Sequence, residues 1–291
     1  MSSVLYDAPG PRARRNTLIA TAVGGLVVVG LLVLAAVQLA KNDQFAGDKW
    51  GPIYNPANQY FVATWRALGG GLVSTLEAAA LTLVLALAIG TALAVARVSS
   101  SPAYRWLVVG FVELFRGLPV VVTIFLVARV LPEFGVSLPP LWYLVIGLTL
   151  YNCVIIAEIV RAGVNALPRG QSEAAYAVGL TRFQVVRMIL LPQAFRIMLP
   201  ALISQLVVVL KDTSLGVFIS YEELLRRGNI AVQNLGNPLQ TYLVVGAIFV
   251  ILNYGLSKLA QYTERRLSRG RKTAKAPVAQ VAAQASTSTG D

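Results

Sequence analysis

The stretch Pro168-Arg-Gly-Gln-Ser-Glu-Ala-Ala-Tyr-Ala-Val-Gly179, continued by Leu180-Thr-Arg-Phe-Gln-Val-Val-Arg-Met-Ile-Leu-Leu-Pro192, decides how the chain is to be read. It is basic and helix-forming, and it lies between runs apolar enough to cross a membrane. Pro168 and Gly170 break what precedes, Gln171 to Val178 propagate a helix, and Gly179 suits the position just past its end. Thr181 is placed to cap a second short helix. Gln184, three residues on, completes a capping-box pattern, and Pro192 is predicted to end that helix. Two short helices at about a right angle, stiffly joined to membrane spans, form a docking element for a soluble partner rather than a slack linker.

The flanks set the fold class. Hydrophobic residues make up 56% of the 291 and charged ones 13%, about half the roughly 25% charge of soluble domains. No charge interrupts the chain between Arg15 and Lys41. That run is long enough to span, longer than a signal-peptide core, and lacks a clear A-x-A cleavage site, which predicts a retained helix. Further spans are predicted at about 70–96, Trp106 to Val130, Leu141 to Val160, from near Ile197, and Leu239 to Leu256. The fifth is uncharged only from Ile197 to Leu210, before Lys211 and Asp212. The expected protein is an all-α integral membrane protein of six transmembrane helices. Its parts are an N-terminal tail 1–16, a first helix 17–40, a wet loop 41–67, a bundle 68–262 interrupted by the loop at about 164–192, and a basic then disordered tail 263–291.

Charge sets the orientation. Most of the 25 Lys and Arg fall in 12–15, 97–105, 161–196 and 258–275. The positive-inside rule therefore puts those segments and both termini in the cytoplasm, with 41–67 outside. The tail residues Arg265, Arg266, Arg269, Arg271, Lys272 and Lys275 read as a topology anchor on acidic membrane lipid, not as a nucleic-acid site. The chain has no His and one Cys. A His base, a His-ligated metal and an intrachain disulfide are thus excluded, and no metal site is expected. Cys153, in an apolar run, reads as a small buried hydrophobe. No G-x-x-x-x-G-K-[ST] phosphate loop is present, so no ATP is bound in that manner.

The loop also carries a pattern, Glu173-Ala174-Ala175, Gly179, Ile189 and Leu191-Pro192, that resembles the EAA loop of permease subunits of ABC importers. Glu113-Leu-Phe-Arg-Gly117 with Pro119, Ala157-Glu158-Ile-Val-Arg161, Leu191-Pro-Gln-Ala194 and Lys211-Asp-Thr-Ser-Leu215 are similar to the branch that imports polar amino acids. The likeness covers about residues 68–262. It implies a type I importer core of five helices, to which the first helix is an addition. The stretch Val4 to Pro11 and the extra helix are similar to glutamate-uptake members from actinobacteria, which implies L-glutamate as substrate and a bacterial plasma membrane.

The resemblance implies a cytoplasmic ABC ATPase dimer that binds ATP and Mg, a second permease subunit, the same or related, and an extracellular substrate-binding protein. The chain itself is then a transport subunit without a catalytic residue or bound cofactor. Glu173 is expected to face the ATPase, Ala174 and Ala175 to allow close approach, and Gly179 to permit a sharp exit.

Ionisable groups inside spans are costly, about 2.5 to 3.5 kcal/mol each at a helix centre by insertion scales. Glu113 with Arg116, and Glu158 with Arg161, sit three apart, so each pair either neutralises itself or lines a substrate path. Lys211 and Asp212 are roughly 100° apart on a helix and cannot share a face. For an anionic amino acid, Lys211, Arg116, Thr213 and Ser214 are the candidate donors, and Glu158 a candidate for its amino group. Trp106, Trp142 and Tyr242 read as interfacial anchors. Two rival classes remain: a gradient-driven secondary transporter, separated by ATP dependence, and an intramembrane enzyme, separated by an altered product.

Overall fold

The computed structural model describes residues 10–99 and 102–272, and these are helices joined by turns. Most of the tail 1–16, and the tail from residue 273 on, lie outside the described residues. Helix α1 (Pro11–Lys41) buries no residue, so nothing among the described residues covers its apolar surface. The expected loop 41–67 is partly ordered. Helix α2 (Gly47–Tyr54) buries Gly51 and Pro52 and docks on the start of α3 (Phe61–Ser99), where Trp65 Nε1 donates to the Ile53 carbonyl at 2.9 Å. A helix this short is invisible to a periodicity argument, because its stability comes from packing rather than from its own sequence.

The third predicted span is corrected to a broken one. Helices α4 (Pro102–Gly117) and α5 (Val120–Glu133) meet at a bend of 105°. Pro119 has no N–H to give and forces Leu118 out of the helical region, while Gly117 weakens the turn before it. Counting that pair as one, six helices among the described residues have the length and composition to cross a membrane.

Helix α6 (Pro140–Asn165) is the most buried of these and packs mainly on α3. The contacts of Gly90 with Cys153 and of Arg97 with Glu158 show the two running side by side in one direction. A Cβ on Gly90 would sit 2.6 Å from the Cys153 carbonyl, and one on Gly147 only 2.7 Å from Ile124 Cα. Small residues at such points let helix backbones approach where no hydrophobic effect drives association. Cys153 is fully buried, as its surroundings suggested.

Beyond α6 come α7 (Arg169–Ala177) and α8 (Arg182–Gln184), a π-helical stretch Val185–Leu190, and α9 (Leu191–Asp212), which tightens into a 3₁₀ turn over Thr213–Ile219. The predicted stop at Pro192 is therefore wrong. The wider π turn, with the Leu191 N–H reaching the Val186 carbonyl, accommodates the missing donor and the ring, and Arg182–Ile219 runs on as one rod. Helix α10 (Leu224–Leu235) then folds back beside α3, and α11 (Pro238–Lys272) closes the bundle, continuing well past the expected end at Leu256.

Candidate functional site

Two regions hold the residues singled out by sequence, and the rod that starts at Arg182 joins them.

The first is the loop at the basic end. Helix α7 ends in a complete Schellman motif: Gly179 sits at φ +84°, its N–H donates to the Tyr176 carbonyl at 2.9 Å, and the Leu180 N–H reaches the Ala175 carbonyl at 3.2 Å. The residue past the cap must be left-handed, and glycine alone takes that conformation without strain. Two residues on, Thr181 and Gln184 close the capping box, with the Thr181 N–H donating to Gln184 Oε1 at 2.8 Å. Gln193 Nε2 reaches back to Gln171 Oε1 at 3.3 Å and ties α9 to α7.

The loop residues divide into outward and inward sets. Glu173 and Ala174 are exposed. Ala175, expected to admit a partner, is instead buried among Val185, Val186 and Leu190, because one step along a helix turns a side chain by about 100°. Ile189 and Leu191 are half-buried against the same core, and Pro192 is exposed. The sequence reading missed three exposed apolar side chains in this loop: Val178 is 76%, Met188 61% and Phe183 50% exposed. Exposed apolar side chains on a charged loop are a feature of surfaces that bind other proteins. They were missed because Val178, Phe183 and Met188 also fit the buried stripe of an amphipathic helix.

The second region is a cavity of about 440 Å³, open on one side, where α9, the 3₁₀ turn, α10 and α11 meet. Lys211 and Ser214 line it, with Tyr242 and Asn253 and an apolar wall that includes Val245 and Phe249. Val245 to Asn253 occupy the middle of the apolar part of α11. Lys211 is exposed to this space and makes no ion pair among the described residues, whereas its neighbour Asp212 is half-buried and does not line it. Thr213 is buried, its hydroxyl donating back to the Leu210 carbonyl at 2.7 Å. Tyr242, read as an interfacial anchor, lines the cavity and bonds to Asn229. Asn253 donates to the Phe249 carbonyl at 2.8 Å, and its buried Oδ1 has no hydrogen-bond partner among the described residues. One wall is fixed by Glu223, fully buried, which caps α10 by accepting from the Leu225 and Arg226 N–H groups at 2.8 and 2.7 Å. Burial pushes its carboxyl up to about 7, against the pull of those two donors.

The remaining candidates lie elsewhere. Glu113 and Arg116 pair with each other at 3.2 Å on the exposed side of α4. Glu158 is at the basic end, its two oxygens taken separately by Arg97 and, at 2.7 Å, by Arg161. Arg97 was not foreseen as a partner, because only the packing of α3 on α6 brings the two together.

A bundle of apolar spans in which an ordered loop continues as one rod to a largely apolar cavity edged by Lys211 and Ser214 has the architecture of a membrane permease. The family model for the binding-protein-dependent transport system inner membrane component matches residues 58–269, and the chain belongs to that family. It is 39% identical over 237 residues to the glutamate transport system permease protein GluD of Corynebacterium glutamicum, covering 80% of this chain and 85% of that one. It is 34% identical over 206 residues to the L-cystine transport system permease protein TcyB of Bacillus subtilis, covering 70% and 88%. Among solved structures it resembles a chain described as an amino acid ABC transporter with histidines, with a TM-score of 0.65 at 29% identity, covering 71% of this chain and 96% of that one. The protein is thus a permease of an ABC amino acid importer, a multi-pass protein of the plasma membrane, as the loop motif implied. Helices α1 and α2 precede the matched region.

Proposed function

We propose that this permease moves L-glutamate inward, using ATP hydrolysed, with Mg, by a separate cytoplasmic ABC ATPase dimer that docks on the 169–192 loop. The observation that carries this reading is the unbroken rod Arg182–Ile219. It begins in the outward-facing loop and carries Lys211 at the cavity, so a displacement imposed on one end reaches the other. The two caps that flank Gly179 make the loop stiff enough to transmit it. The concentration of Arg and Lys at the loop end supports a cytoplasmic location for it and for both termini.

The cavity suits an anionic amino acid. Lys211 supplies a positive charge that makes no ion pair among the described residues, beside the Ser214 hydroxyl, which donates to the Lys211 carbonyl at 2.7 Å and keeps its oxygen as an acceptor for the substrate ammonium. A second permease subunit, the same or related, closes the open side, and an extracellular binding protein delivers substrate. Glutamate is favoured by the likeness to GluD and by the N-terminal stretch Val4 to Pro11. TcyB carries a different substrate in its name, so the relatives leave the substrate to experiment.

The test is uptake of labelled glutamate into vesicles holding the permease, its ATPase, its receptor and any second permease, with and without ATP. Unlabelled glutamine, arginine, histidine and cystine serve as competitors. ATP-dependent accumulation blocked chiefly by glutamate is expected. Block by another amino acid discards the substrate, and uptake driven by an ion gradient without ATP discards the mechanism.

A further inference from the structure

Behind α7, where α3 and α6 reach the basic end of the bundle, lies a second cavity of about 360 Å³. Val98, Val164, Val186 and Leu190 contribute an apolar floor, and Arg169 and Arg182 are the charged residues that line it. Neither arginine makes an ion pair among the described residues, and no carboxylate lines the space. Arg97 and Arg161 nearby are already committed to Glu158. The exposed apolar residues Val178, Phe183 and Met188 are not part of this lining.

We propose that this cavity holds an acidic phospholipid, its phosphate clamped between Arg169 and Arg182 and its glycerol end resting on the apolar floor. Two guanidinium forks without a counter-charge match a phosphate, which each can engage through paired N–H donors. A free anion has no use for the apolar floor, whereas an amphiphile needs both parts. The position also fits: Val98 and Val164 in its lining stand in the last turns of α3 and α6, and basic pockets between helices on the cytoplasmic side bind such headgroups. The lipid bridges the end of α6, α7 and the start of the rod, and so seats the loop on the bundle. The proposal uses the orientation given above only to assign the lipid to the cytoplasmic leaflet.

Native mass spectrometry of the full-length permease in mild detergent tests it, with phosphatidylglycerol and phosphatidylcholine titrated separately and then with the ATPase added. One phosphatidylglycerol per chain is expected to bind in preference to phosphatidylcholine. Each arginine near an acidic surface is worth about 1 kcal/mol, so Arg169→Ala should weaken binding about fivefold and the double variant with Arg182→Ala about 25-fold. Arg187→Ala, outside the cavity, should leave it unchanged, and a double Arg→Lys variant should keep most of it. The double Arg→Gln variant repeats the test should the alanine variant fold poorly. Equal binding of the two lipids, or full binding by both doubly neutralised variants, overturns the proposal. Displacement by millimolar inorganic phosphate would make the site one for a free anion. Loss of the lipid on adding the ATPase would assign the arginines to that protein interface. Either result overturns the lipid assignment.

Discussion

The loop at the basic end and the cavity around Lys211 are built in opposite ways. The features that set the backbone of the loop are mostly local: Gly179 past the end of α7, Thr181 and Gln184 closing the box, and a π turn that carries the helix through Pro192. The cavity has no such local signature. Its wall comes from three stretches that the chain visits separately between residues 211 and 253, and its polar residues acquire meaning only from the packing of α9 against α11. A region made by backbone rules should fail when one backbone conformation is lost. A region made by tertiary packing should fail when one side chain loses its chemistry.

The sharpest break is at Gly179. Asp tolerates a left-handed backbone better than most residues, so Gly179→Asp should leave the protein folded and in the membrane. An L residue there still costs about 1 to 2 kcal/mol, and a carboxylate is added to the face offered to the ATPase. Loss of that much docking energy lowers coupling roughly tenfold or more. Coupled uptake should fall accordingly, and the ATPase should cease to respond to substrate. Normal uptake at a normal membrane level would show that the cap geometry is incidental.

Lys211→Met asks the same of the cavity. Uptake should be lost with assembly unchanged, and residual substrate affinity should weaken by at least about 30-fold, the cost of stranding a charged partner. Glu158→Gln is the contrasting change. Because Arg97 and Arg161 already occupy both oxygens, it should lower thermal stability while sparing affinity. If binding measurements reversed the two outcomes, the cavity would lie at the basic end and the rod would lose its role.

The division also explains what the sequence revealed. Most of the spans, the α7 cap and the capping box depend on composition or on residues within a turn of one another, and each was legible. The break at Leu118 and Pro119 and the continuation through Pro192 were not. Proline bends a helix at one site and is absorbed at the other, and the choice depends on whether a wider turn can form against the surrounding packing. Arg97 as a partner of Glu158, Ala175 as a core residue, and Tyr242 and Asn253 as cavity wall all follow from helix neighbours distant in sequence. Lys211 could be named as the exposed member of its pair only once the direction of α9 was known.

The smallest effect concerns what holds the rod between the two regions. Within the bundle, Gln205 Nε2 on α9 donates to Asn152 Oδ1 on α6 at 2.7 Å, and Asn152 Nδ2 donates to the Leu148 carbonyl at 2.8 Å, both side chains being buried. Such interhelical bonds in membrane proteins average about 0.6 kcal/mol and reach about 1.7, because unfolded helices in lipid also find partners. A double-mutant cycle of Asn152→Leu and Gln205→Leu should return a coupling in that range. The single variants should each be more destabilised than the pair, since either one alone leaves a buried amide group without its partner. If the bond also fixes the rod in one register, the double variant should keep its stability yet couple ATP hydrolysis to uptake less tightly. Unchanged coupling in a stable double variant would mean that the motion passes through the rod whichever way it leans on α6, and that the loop and the cavity are joined by the helix alone.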